Sequence, residues 1–155
     1  MNSYGSIYAI GAYFGTIAAV LQIVGYWVYN HHVRKGYASG NGSSWAIWTF
    51  GSLLNLASYH SLAQDWAKEF LPIVCSFCCI LTFIHIWKRN GFGKPYNIDW
   101  WILGIDLLIT IYWFYSSGNE ANLLYQISTI FSFIPMINGM VNGRDYEYPK
   151  PWIIW

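Results

Sequence analysis

The chain has 155 residues, of which 55% are hydrophobic, 21% aromatic and only 10% charged. Soluble domains carry about a quarter charged residues, so this composition argues against an ordinary water-exposed surface and leaves long uncharged stretches of the kind that cross membranes. The net charge of +1 supplies no global field for nucleic acid or acidic partners. A single transmembrane domain covering residues 1–155 is expected.

The first uncharged segment runs from Tyr4 to Tyr29, long enough to span a bilayer with some tilt. It is not read as a secretory signal, because the first Lys or Arg is Arg34, after the apolar stretch rather than before it. Gly5, Gly11, Gly15 and Gly25 would weaken a soluble helix but let membrane helices approach closely. A polar loop from His31 to Ser44 follows, with Ser43 or Ser44 placed to cap the second span, Trp45 to Leu62.

After a polar turn at Gln64 to Glu69, the third span covers Phe70 to Trp87, with Pro72 in its first turn, where proline is tolerated. The fourth covers Ile98 to Tyr115 and the fifth Asn122 to Val141. A polar stretch then leads to Trp152-Ile153-Ile154-Trp155. The expected fold is therefore all-α, a polytopic helix bundle of five spans.

Five spans put alternate loops on opposite sides. Arg34, Lys35, Lys88, Arg89, Lys94, Arg144 and Lys150 follow spans one, three and five, and Lys68 alone falls on the other face. The positive-inside rule then places the amino terminus outside and the carboxyl terminus in the cytoplasm. Trp and Tyr at the span ends match the aromatic belts of the membrane interface.

An internal repeat accompanies this topology. Laid without gaps, Gly25–Trp48 matches Ser132–Trp155, with Gly36 on Gly143, Trp45 on Trp152, Ile47 on Ile154 and Trp48 on Trp155. Both windows are an outward-to-inward span, a basic loop and the start of a return span. Two copies in the same orientation need an inverting helix between two three-helix units, and the fourth span fits that role.

These windows resemble the PQ-loop superfamily, which includes the SWEET and SemiSWEET sugar carriers. The resemblance rests on Leu21 to Tyr29 followed by Ser44-Trp45-Ala46-Ile47-Trp48, and on Phe131 to Ile137 followed by Trp152 to Trp155. It is nearest to a bacterial membrane branch with a Ser-Trp-x-x-Trp element. The family implies a three-helix, linker, three-helix plan in a bacterial cytoplasmic membrane. The chain departs from it in three ways. The carriers line their pocket with a tryptophan on the second helix and an asparagine on the third, whereas here Asn55 lies on the second span and the third has no asparagine before Asn90. The diagnostic Pro-Gln pair is Val28-Tyr29 in the first copy and Pro135-Met136 in the second, so a proline hinge is expected at Pro135 alone. The second unit is expected to be incomplete, its sixth span only beginning at Trp155.

Trp48, Ser52, Asn55 and Tyr59 recur at helical spacing on one face of the second span. Such a stripe binds a small polar solute by stacking and hydrogen bonding, or packs helices with Asn55 bonded to a neighbour. Asp106 lies mid-span, where an ionisable group is costly and faces protein or water. It reads as a proton-coupling carboxylate or as an interhelical lock. Asp99 reads as a helix-start charge. Cys75, Cys78 and Cys79 read as small packing residues, and His31 and His32 as interfacial loop residues.

No nucleophile with a base, phosphate loop or metal motif is recognised. No enzyme activity, catalytic residue, metal or cofactor is therefore expected. Two functions remain. One is a small-solute transporter acting as a homo-oligomer. The other is a non-transporting accessory subunit docked on other membrane subunits.

Overall fold

A computed structural model describes residues 3–63, 66–93, 95–116 and 118–155. The turn residues Gln64 and Asp65, the basic loop residue Lys94 and Ser117 lie outside the described residues. Those described form seven helices and no strand: α1 (Ser3–Lys35), α2 (Gly42–Ala63), α3 (Trp66–Asn90), α4 (Asn97–Trp113), α5 (Gly118–Phe131), α6 (Ile134–Val141) and α7 (Pro149–Ile154).

Three stretches are long and apolar enough to cross a membrane: Ala9–Lys35, Lys68–Asn90 and Asn119–Val141, the last combining α5 and α6. α4 is shorter, at 17 residues. α2 is diluted along its length by Ser, Thr, Asn and His.

The helix boundaries differ from the expected spans where capping decides them. α1 continues past Tyr29 through His31 to Lys35, residues whose polarity reads as a loop. Nothing breaks the helix there until Gly36, whose φ of 79° ends it. His32, Arg34 and Lys35 then stand in the last turn, where positive charge favours the negative end of the helix dipole.

α2 is capped by Asn41 rather than by Ser43 or Ser44. The Asn41 Oδ1 accepts the backbone N–H of Ser43 at 3.0 Å and of Ser44 at 3.4 Å. The Ser43 hydroxyl lies between Asn41 Oδ1 at 2.7 Å and Asp99 at 3.1 Å, and the Ser44 hydroxyl donates to Asp99 at 3.5 Å. Asp99 also accepts the Tyr96 N–H at 2.7 Å. It therefore closes the start of α4, as a helix-start charge does, and ties that start to α2.

The expected fifth span is two helices. Pro135 has no N–H to return to the carbonyl of Phe131, and its ring crowds that carbonyl. α5 ends at Phe131 and α6 restarts at Ile134.

α3 packs against both α1 and α2, α5 packs against both α2 and α4, and α7 lies on α1. The main core is Tyr26, Tyr29, Val33, Trp45, Cys79 and Ile86, with Trp48, Trp152 and Trp155 against it. The outer faces are apolar: Trp101 is 74% exposed, Phe114 77% and Tyr115 87%. A water-soluble surface rarely carries so much contiguous apolar area, and lipid is the solvent that suits it.

The loops after α1, α3 and α6 meet at one end of the bundle. Ser39 N–H donates to the Tyr146 carbonyl at 2.9 Å, and the Asn90 side chain donates to the Ser39 carbonyl. The Tyr96 hydroxyl donates to Asp145 at 3.1 Å. Gly42 sits where these loops press closest: a Cβ there would stand 2.7 Å from the carbonyl oxygens of both Gly91 and Phe92. Gly42→Ala is expected to destabilise the bundle by about 1–3 kcal/mol, read as a lowered detergent-denaturation midpoint. Gly11→Ala meets nothing within 4 Å and is the matched control, expected to leave the midpoint unchanged.

Candidate functional site

A cavity of about 850 Å³ opens between the helices. All four stripe residues, Trp48, Ser52, Asn55 and Tyr59, line it from α2. Asp106 reaches it from α4, Ser128 and Gln126 from α5, and Trp152 and Trp155 from α7. The spacing of three and four residues places the α2 stripe on one face, and the helices around α2 turn that face into a wall.

Asn55 is bonded to a neighbouring helix as well as lining the cavity. Its Oδ1 accepts from Asn122 Nδ2 and from Gln126 Nε2, each at 3.0 Å. Asn122 also donates to the Ser58 hydroxyl at 3.1 Å. Ser52 donates to the Thr49 carbonyl of its own helix at 2.9 Å. Its own carbonyl accepts from Ser76 of α3, also at 2.9 Å. Trp48 donates its indole N–H to the Ser132 carbonyl at 3.0 Å, across to the α5–α6 break.

Asp106 is 3% exposed. One carboxylate oxygen accepts from the Ser128 hydroxyl. The other has no hydrogen-bond partner among the described residues, and no ion pair reaches it there. Pro135 is buried in the first turn of α6 and does not line the cavity.

The cysteines do not gather a metal set: among the described residues no group of three or more His, Cys, Asp and Glu is arranged to hold one. Cys75 and Cys79 instead flank the Tyr26 hydroxyl, at 3.5 and 2.8 Å. His32 is the last-turn residue of α1 that stacks on Tyr148, with ring centroids 4.0 Å apart.

What sequence reasoning misses lies behind the Trp45, Trp152 and Trp155 wall of the cavity. Glu147 reaches back to α1 and accepts from the Tyr29 hydroxyl at 3.1 Å. Tyr29 in turn accepts from the Trp45 indole at 3.1 Å. Trp152 and Trp155 close over this triad: Trp155 lies 4.8 Å from the Tyr26 ring and Trp152 5.9 Å from the Tyr29 ring. Burial pushes the Glu147 carboxyl up to about 7, with Asp145 adding to the shift and the Tyr29 hydrogen bond opposing it. The signal available in the sequence was the expected alignment of Trp45 with Trp152 and Trp48 with Trp155, which draws attention to the carboxyl-terminal tryptophans but not to Glu147.

No family model, characterised protein or solved structure matches the chain.

Proposed function

We propose that this protein is a small-solute carrier of the PQ-loop type, with the central cavity as its solute site. The observation that carries this reading is the cavity of about 850 Å³ with the polar and aromatic α2 stripe on its wall. Ligand cavities have this size and this mixture of aromatic surface with a few polar groups.

The helix pairing supports the repeat. α1 packs on α7, and α5 packs on α2. The sequence repeat makes α7 the counterpart of α2 and the α5–α6 pair the counterpart of α1. Each first helix therefore leans on the second helix of the other unit, as two units related by a twofold axis would. The Trp45–Trp155 and Trp48–Trp152 ring contacts, at 6.4 and 5.8 Å, cross between the units in the same sense.

In this reading α2 and α4 are spans as well, α2 walled in by its neighbours and α4 turning its apolar outer face to lipid. The helix ends and loops that meet at one end carry Arg34, Lys35, Lys88, Arg89, Arg144 and Lys150, so in this reading that end faces the cytoplasm and the amino terminus lies outside. A bacterial cytoplasmic membrane and assembly as an oligomer complete the reading. The break at Pro135 is the hinge about which the second unit moves.

Asn55→Ala tests it. The substitution leaves Asn122 and Gln126 without their shared acceptor and costs about 1–2 kcal/mol of helix association. Uptake from a mixed pool of labelled small polar solutes into proteoliposomes is expected to fall at least tenfold while the protein still inserts. Parent liposomes with no uptake above empty ones would defeat the proposal. The exposed α4 face with Trp101, Phe114 and Tyr115 favours a second reading, an accessory subunit docked through that face. A native mass showing a complex with other chains, together with no uptake, would select it.

A further inference from the structure

We propose that the cavity takes a small organic cation, a protonated amine or quaternary ammonium, with Asp106 as its counter-charge. This rests on the reading of the cavity as a solute site.

A carboxylate has about four acceptor positions, and Asp106 uses one, toward Ser128. Its free oxygen lies on the cavity wall, 3.8 Å from where a Cβ of residue 51 would stand. Glycine at that position leaves the carboxylate open to the cavity. A charge in so enclosed a place is costly unless it is paired, and no basic side chain pairs with it among the described residues.

The surroundings decide which cation suits it. Gly51 follows Trp48 by three residues and precedes Asn55 by four. The free oxygen is therefore level with the middle of the α2 stripe, about one turn from the Trp48 indole. That ring is fixed by Trp45 at 4.9 Å, Phe133 at 5.3 Å and Trp152 at 5.8 Å. Ring faces attract a soft cation held within about 6 Å. A bare metal ion instead needs six or so oxygen ligands, which this wall of rings does not offer. An anion would meet uncompensated negative charge, and a neutral polyol would leave Asp106 unpaired.

The other charged group on the cavity wall is Lys68. It stands in the first turn of α3, beside Glu69, which bonds His60 at 2.8 Å. His60 is nine residues beyond Gly51, about 13 Å along α2, so Lys68 is not at contact distance from Asp106.

Choline and its uncharged isostere 3,3-dimethyl-1-butanol have the same shape and separate charge from size. Tryptophan fluorescence of the full chain in nanodiscs is titrated with each, and with sorbitol. The parent is expected to bind choline at least tenfold more tightly than the isostere. Asp106→Asn should abolish that preference while leaving isostere binding unchanged, and Asp106→Glu should retain it. Gly51→Leu, which covers the carboxylate without altering it, should also abolish the preference.

Equal parent affinity for choline and the isostere would overturn the cation assignment, whether or not the Asp106 variants fold. So would a preference that survives in a folded Asp106→Asn. If isostere or sorbitol binds with no effect of charge, the cation inference fails and the solute-site reading stands. If none of the three binds, both fail.

Discussion

Trp48→Ala is expected to destabilise the bundle by about 3 kcal/mol or more, the range for truncating a large aromatic in a packed interior. Trp48 joins what the sequence keeps far apart. Its ring packs on Trp45 of its own helix, on Phe133 at the α5–α6 break and on Trp152 of α7. Its indole N–H satisfies the Ser132 carbonyl at 3.0 Å, next to the point where Pro135 interrupts the helical ladder. Removing the ring takes away the packing of α2 on the α5–α6 break and on α7, while the Asn55 bonds to α5 remain. Trp48→Phe keeps most of the packing and loses only the hydrogen bond, so it should cost about 1 kcal/mol. Detergent-titration midpoints followed by circular dichroism give both values. A Trp48→Ala midpoint indistinguishable from the parent would show that α7 and the α5–α6 break are not held through this ring.

Glu147→Gln is expected to remove a pH dependence of stability that the parent shows between about pH 4.5 and 7. Burial raises the Glu147 carboxyl from its ordinary 4.5 to about 7, and the neighbouring Asp145 charge adds to it. The folded protein therefore holds a proton that the unfolded chain releases over that interval. By linkage, stability is fullest below about 4.5, declines as pH rises through about 7, and is level above it. The difference across the window is at most about 3 kcal/mol. Glutamine mimics the protonated acid, so the variant should match the parent at pH 4.5 and exceed it at pH 8. A parent midpoint flat from pH 4.5 to 8, or a variant that is less stable at pH 8, would contradict the buried-acid account. Because Glu147 bonds Tyr29, which packs on Trp45 and Trp152, the same measurement reports how firmly the loop after α6 is held on α1.

The wall of the site was legible in the sequence and the partners that hold it were not. Trp48, Ser52, Asn55 and Tyr59 share a face through helical geometry alone, so their presence on one cavity wall follows once α2 is a helix. Asp106 was conspicuous because a carboxylate inside an apolar span needs a reason. The partners were hidden by distance along the chain: Asn122 is 67 residues from Asn55, and Glu147 is 118 from Tyr29. No local pattern encodes such pairings.

The cap of α2 went to Asn41 rather than to the serines because both serine hydroxyls reach Asp99, a choice made by a helix not adjacent in sequence. α1 runs on through His31 to Lys35 because polarity alone does not end a helix, whereas the left-handed turn at Gly36 does. Pro135, by contrast, marks its break locally, since a missing N–H acts on the residue four places earlier whatever the tertiary context.

If the cavity is open to water while the outer faces meet lipid, thiol accessibility reports both at once. Cys75 lines the cavity, while Phe77, two residues on, is 60% exposed on the outer face of α3. Two single-cysteine proteins are compared in proteoliposomes. One retains Cys75 with Cys78 and Cys79 replaced by serine. The other carries Phe77→Cys with all three native cysteines replaced. A membrane-impermeant, charged methanethiosulfonate reagent should modify the first and leave the second untouched, because lipid excludes the reagent from an outward-facing thiol. An unreactive Cys75, or a cysteine at position 77 that reacts as readily, would contradict the account.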